Sequence, residues 1–123
     1  MKTHKDLDVW KKSIALVTAL YQLTKSFPKD EIYGLIQQLR RSAVFIPSNI
    51  AEGHGRFHFQ ENIQFCRQDR GSLCELQDYI TTYNDLNFIN NHFLQELDSK
   101  MNKAIKILDG YIRFLTEQKD DNN

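Results

Sequence analysis

Apolar residues recur along this chain with a helical period in four stretches, each closed by a short polar or proline-glycine break. In the first, Trp10, Ile14, Val17, Tyr21 and Thr24 keep the alternating four-and-three spacing of one buried stripe, which predicts a helix over about 6–26. A second row, Val9, Ser13, Leu16, Leu20 and Leu23, runs beside it. Phe27-Pro28 breaks that helix, because the residue before proline is pushed out of the α region. The second helix is predicted over about 30–52, with Ile32, Leu35, Leu39, Ser42, Ala43, Ile46 and Ile50 inward. Pro47 should kink it rather than end it, since the apolar period continues through Ile50. Gly53-His54-Gly55 should then close it with a glycine in the left-handed region.

The third helix is predicted over about 59–85, with Ile63, Cys66, Leu73, Leu76, Ile80 and Tyr83 inward. Gly71 in its middle marks an expected close approach by a neighbouring helix. The fourth begins near Asn90 or Asn91, both good caps, and runs to about 116 along Leu94, Leu97, Met101, Ala104, Leu108, Tyr111 or Ile112, and Leu115. Residues 117–123 read as a frayed polar tail. Short connections make neighbours antiparallel, so the expected fold is an all-α, up-down-up-down four-helix bundle in one domain spanning 1–123.

The apolar surface exceeds what one bundle needs. Beyond one stripe per helix, Leu16, Leu20 and Leu23 on the first helix and Tyr33, Val44 and Phe45 on the second are candidate contacts between copies of the chain. The alternative is a broad stripe wholly inside one bundle.

Composition narrows the picture. Sixteen basic and sixteen acidic residues give zero net charge, which removes a strongly basic domain as an argument for nucleic acid. No run approaches the roughly 20 apolar residues of a membrane span, and the N-terminus lacks a signal-like apolar stretch, so a cytoplasmic chain without membrane partners is expected. Cys66 and Cys74, eight residues apart on one helix, are too distant for a disulfide and read as buried free thiols. The sequence carries no phosphate-cradling glycine loop, nucleophile elbow or metalloprotease helix, so neither an enzyme nor a cofactor is expected.

An ordered series of short motifs is more specific. It comprises Leu7-Asp8-Val9-Trp10-Lys11-Lys12, Phe27-Pro28-Lys29-Asp30-Glu31, Gln38-Leu39-Arg40-Arg41-Ser42-Ala43, Ile46-Pro47-Ser48-Asn49-Ile50-Ala51-Glu52-Gly53-His54-Gly55-Arg56 and Arg70-Gly71-Ser72-Leu73-Cys74-Glu75-Leu76. Over about residues 6–116 the chain resembles the 23S rRNA intervening-sequence proteins, a four-helix-bundle family. Its fold family includes the accessory variability protein of diversity-generating retroelements. The resemblance implies a homopentamer without catalytic activity, with RNA, a reverse-transcriptase-like protein or a ribosomal component as candidate partners.

The arginines are the residues through which such partners would be met. Counting outward from Arg56 in the hairpin turn places Arg40, Arg41 and Arg70 at similar height on adjacent helices, with Arg67 one turn away. Arginine suits bidentate phosphate contacts, so Arg40 and Arg67, with Arg56 at the tip and Lys100 and Lys103 on the fourth helix, are the candidate nucleic-acid residues. Lys2, Lys5, Lys11, Lys12 and Lys106 are ordinary solvating lysines or sequence-independent phosphate contacts. The alternative is internal pairing, expected most for Arg41, Arg70, Glu52 and Glu75, which would fix register and assembly. His54 and His58 lack a third strong ligand, so no metal site is expected. Phe57, His58 and Phe59 at the hairpin tip could stack on bases or pack on a neighbour.

Overall fold

The computed structural model describes residues 3–89 and 91–121, with side chains except those of 31–33. Expectations resting on Lys2, Asn90 and the side chains of Ile32 and Tyr33 lie outside the described residues. Four long helices form the chain: α1 (Asp8–Thr24), α2 (Gln37–His54), α3 (Phe59–Asp85) and α4 (Asn91–Asp121). No strand occurs among the described residues. Each helix packs on its sequence neighbours, and α4 closes the ring against α1. Along α3 and α4 the pairs Gln60–Lys119, Arg70–Asp109 and Gln77–Asn102 run in opposite directions, so these two helices are antiparallel.

The helix ends differ from the periodicity in instructive ways. Before α1, His4–Asp6 make a tight turn, where Thr3 Oγ1 accepts from Lys5 N–H and Asp6 returns a carboxylate to Thr3 N–H. The segment before α2 is a wide π-type turn, Ile32–Ile36, which delays the regular helix to Gln37. Pro47 sits inside α2, buried, and the helix continues past it to His54. The tail is not frayed up to Asp121: α4 carries it as helix, with Lys119 Nζ donating to Gln60 Oε1 at 2.6 Å.

The two rows of α1 are reversed relative to the expectation. Val9, Ser13, Leu16, Leu20 and Leu23 are buried in the core, whereas Ile14 and Tyr21 are exposed and Trp10 and Val17 half-buried. Leu16, Leu20 and Leu23 therefore seal the bundle and are not surface contacts. Both rows are apolar enough to serve. The buried Ser13 and Thr24 are accommodated because their hydroxyls donate to Trp10 O at 2.7 Å and Tyr21 O at 3.1 Å. At the open end of the bundle Phe27 meets Tyr83 edge-on at 5.4 Å, and the Tyr83 hydroxyl donates to Leu35 O at 2.9 Å.

The glycines exchange roles as well. Gly55 caps α2 in the right-handed region; among the described residues no glycine has positive φ, and Asn87, in the α3–α4 turn, is the one residue that does. Gly71, expected at a close approach, has open space where a Cβ would stand. The close approach is at Gly53, where a Cβ would lie 2.7 Å from Asn62 Oδ1 and 3.0 Å from Phe65 Cβ. Gly53→Ala should therefore destabilise the fold by about 1–3 kcal/mol through overpacking. Gly71→Ala should stabilise it by up to about 1 kcal/mol, as for any exposed mid-helix glycine. Urea denaturation of both variants checks this pair, and a reversed order would place the α2–α3 contact elsewhere.

Candidate functional site

Gly53 lies against Asn62, and further along the hairpin Gln38 Nε2 donates to Tyr79 Oη at 2.8 Å. The two helices are thus paired about His58 rather than Arg56. Arg41 consequently stands level with the residues just before Tyr79, while Arg70 stands toward the Gly53 end, about a helical turn or more away. Their faces differ too. Arg40 turns to α1, where its Nε donates to Thr24 Oγ1 at 2.8 Å and its guanidinium lies 4.6 Å from the Tyr21 ring centre. Arg70 turns to α4 and grips Asp109 with Nε at 2.8 Å and Nη2 at 3.5 Å. The expected band of Arg40, Arg41, Arg67 and Arg70 is not formed.

The expected internal network is also redistributed. Glu52 pairs with Arg56 at 2.6 Å, one turn along the same helix end, and Glu61 adds a second contact to Arg56 at 3.8 Å. Arg56, a candidate nucleic-acid residue at the tip, is thereby held between two carboxylates and over the Phe65 ring. Glu75 accepts from the Tyr79 hydroxyl instead of pairing with Arg41, and that hydrogen bond, more than burial or the Glu75 charge, raises the Tyr79 pKa. All these pairs are solvent-exposed, where an ion pair contributes about 0–1 kcal/mol. Arg41 and Arg67 are exposed and make no hydrogen bond or ion pair among the described residues. Lys100 and Lys103 are exposed beside Lys12 in a shallow hollow between α1 and α4, with Glu96 on its rim.

The remaining candidates fall at the α2–α3 tip. His54 belongs to the last turn of α2 rather than to a loop, and His58 precedes α3. No group of three metal-ligating side chains exists among the described residues. Phe57 is almost fully exposed, and with Phe59, Tyr111 and Phe114 it borders a small hollow of about 200 Å³. Cys74 is exposed beside Arg70, contrary to the expectation of two buried thiols, and Cys66 alone is buried.

One group is not marked by the sequence pattern. Asp69, next to Arg70 in the chain, is fully buried. Neither of its oxygens has a hydrogen-bond partner, and nor does Asn49 Nδ2 across the α2–α3 contact. The Asn49 amide is near enough to favour the carboxylate, yet not in bonding geometry; burial dominates and pushes Asp69 from 3.8 up to about 8. Its position, three residues after Cys66 and four before Leu73, is the empty slot in the inward stripe of α3. Burial, with the Asp69 charge adding to it, likewise pushes the Cys66 thiol up to about 12.

The model of the 23S rRNA-intervening sequence protein family matches residues 5–110, from the turn before α1 into the second half of α4. The chain belongs to this family. No curated protein matches the chain. The matched span contains every arginine discussed above, together with Asn49, Gly53 and Asp69. No described helix is long and apolar enough to cross a membrane.

The buried carboxyl gives a signed prediction. An acid whose folded pKa is raised stabilises fully below its unfolded value and loses that contribution as pH rises to the folded value. Asp69 should thus weaken the fold progressively between about pH 4 and 8. Asp69→Asn should match the wild type near pH 4 and exceed it in denaturant stability at pH 8 and above. A stability difference constant over that range would show that Asp69 is not buried as described.

Proposed function

We propose that this family member is a non-enzymatic, self-associating helical scaffold whose copies meet through the outer face of α1 and α2. The observation that carries this reading is the apolar row left outside the sealed core. Ile14 and Tyr21 are each 37% exposed, Val44 is 40% and Phe45 54%, with Trp10 and Val17 half-buried among them. Several exposed apolar side chains on two neighbouring helices are the usual mark of an interface. Of the contacts expected from the sequence, Val44 and Phe45 stay in this proposal, while the leucine row is replaced by Ile14, Val17 and Tyr21. Five copies is the number the family resemblance supports.

A second reading, binding of structured RNA or a ribonucleoprotein such as a ribosomal or reverse-transcriptase-like partner, is favoured by the unpaired exposed Arg41, Arg67, Lys100 and Lys103. Zero net charge and the dispersal of the arginines make it the weaker of the two.

Sedimentation at micromolar concentration should give one discrete mass several times that of a single chain, five-fold if the resemblance holds. Ile14→Glu combined with Val44→Glu should reduce it to one chain with helicity retained; a wild-type monomer overturns the scaffold reading. Anisotropy titration with a structured RNA at low and physiological salt tests the second reading. Steeply salt-sensitive binding lost in Arg41→Glu/Arg67→Glu supports it, and no binding at low salt removes it.

A further inference from the structure

A wide groove between α1 and the first turns of α2 lies toward the Phe27 end of the bundle and shares Tyr21 with the apolar row. It measures about 850 Å³ and is lined chiefly by Tyr21, Leu35, Gln37, Gln38, Arg40 and Arg41. No aspartate or glutamate lines it among the described residues. A smaller hollow shares Arg40 with it and brings in Thr24, Lys25 and Lys29. Asp30, exposed in the same turn, is an acidic neighbour, and Glu31 follows it in the chain. In a chain of zero net charge, this is a local concentration of cations.

The two arginines are prepared differently. Arg40 is ordered before any ligand arrives: its Nε is fixed on Thr24 Oγ1 and its Cζ lies over the Tyr21 ring. Neither Nη of Arg40 makes a hydrogen bond among the described residues, so both remain available as donors. The ordering entropy that normally opposes binding by a long side chain is already spent. Arg41, exposed and unpaired, supplies a second full fork. Two guanidinium groups on one concave wall match a compact dianion better than a single carboxylate.

We propose that this groove binds a phosphate monoester, with Arg40 as the ordered anchor and Arg41 as the closing contact. The groove is larger than one phosphate, leaving room for the esterified group against Leu35 and the exposed edge of Tyr21. A polynucleotide backbone fits less well. Arg70 is turned to Asp109 on α4 and Arg56 is held by Glu52 and Glu61 at the far end of α2, so neither extends the groove into a basic track.

Isothermal titration with inorganic phosphate, adenosine 5′-monophosphate and adenosine tests the proposal on the intact protein at physiological salt. Both phosphate compounds should bind saturably and adenosine should not. Arg41→Gln should weaken the monophosphate by at least about tenfold, the loss expected for one charge-assisted contact. Arg67→Gln, on α3 and outside the groove, should leave it unchanged. Arg40→Gln should abolish binding; because it could also loosen the α1–α2 packing, its helicity and native mass are compared with wild type, and Arg41→Gln decides the matter alone if they change. Absence of saturable phosphate binding, or equal weakening by Arg41→Gln and Arg67→Gln, would overturn the proposal. So would displacement of the monophosphate by an RNA with a 5′-hydroxyl end, which would assign the groove to phosphodiesters. None of these outcomes bears on the native mass, so the groove and the scaffold reading stand or fall separately.

Discussion

The contact of α2 with α3 at Gly53 sets the positions of most other groups in this molecule. A side chain there would collide with Asn62 and Phe65, so only a glycine lets the two backbones approach. That approach fixes the hairpin register, and the register decides which charges meet. It brings Asn49 against Asp69 in the interior, seats Gln38 on Tyr79, and leaves Arg70 to find Asp109 across the α3–α4 contact. The arginines that look like a cluster in the sequence are separated by height and by face because of it. The chain thereby becomes a bundle with a sealed leucine core, exposed apolar residues on α1 and α2, and separate local clusters of cations instead of a broad basic surface.

The buried Asp69 opposes that packing. A carboxyl without a hydrogen-bond partner in an apolar contact is tolerated only by holding its proton, which is the physical content of its raised pKa. Its neighbours are arranged in the same manner. Cys66 keeps its proton and leans on Asn62, whose amide in turn donates to the Tyr111 hydroxyl at 3.2 Å, linking α3 to α4. The interior of the hairpin is thus polar but neutral near neutral pH, and the strong charges are all outside it.

The all-helical class, the four segments and most inward residues of α2, α3 and α4 were legible from periodicity alone, because burial on these helices is one-sided. On α1 periodicity found both rows and could not rank them, since a serine bonded to its own helix carbonyl is indistinguishable in sequence from one that needs water. The end of α4 was missed because its last turns are polar; Lys119 reaches Gln60 there through one long side chain, which leaves no apolar trace. Counting residues from a turn gave the wrong heights for the arginines, because the pairing centre of a hairpin depends on side-chain contacts such as Gly53 on Asn62. Asp69 occupied a vacant core position in plain view, and was passed over because it is charged and adjoins an arginine. The Arg40–Arg41 pair was noticed, but its tie to Thr24 and Tyr21 joins residues that only the fold brings together.

The central claim is that copies of this chain meet on the outer face of α1 and α2. Ser48 is exposed on α2, one turn beyond Val44, and can carry a spin label in a Cys74→Ser background, where the buried Cys66 thiol is unreactive. Double electron-electron resonance on Ser48→Cys, labelled and undiluted, should show discrete distances between copies that vanish on dilution with unlabelled protein. A featureless background at micromolar concentration, with no distance between copies, would contradict the account.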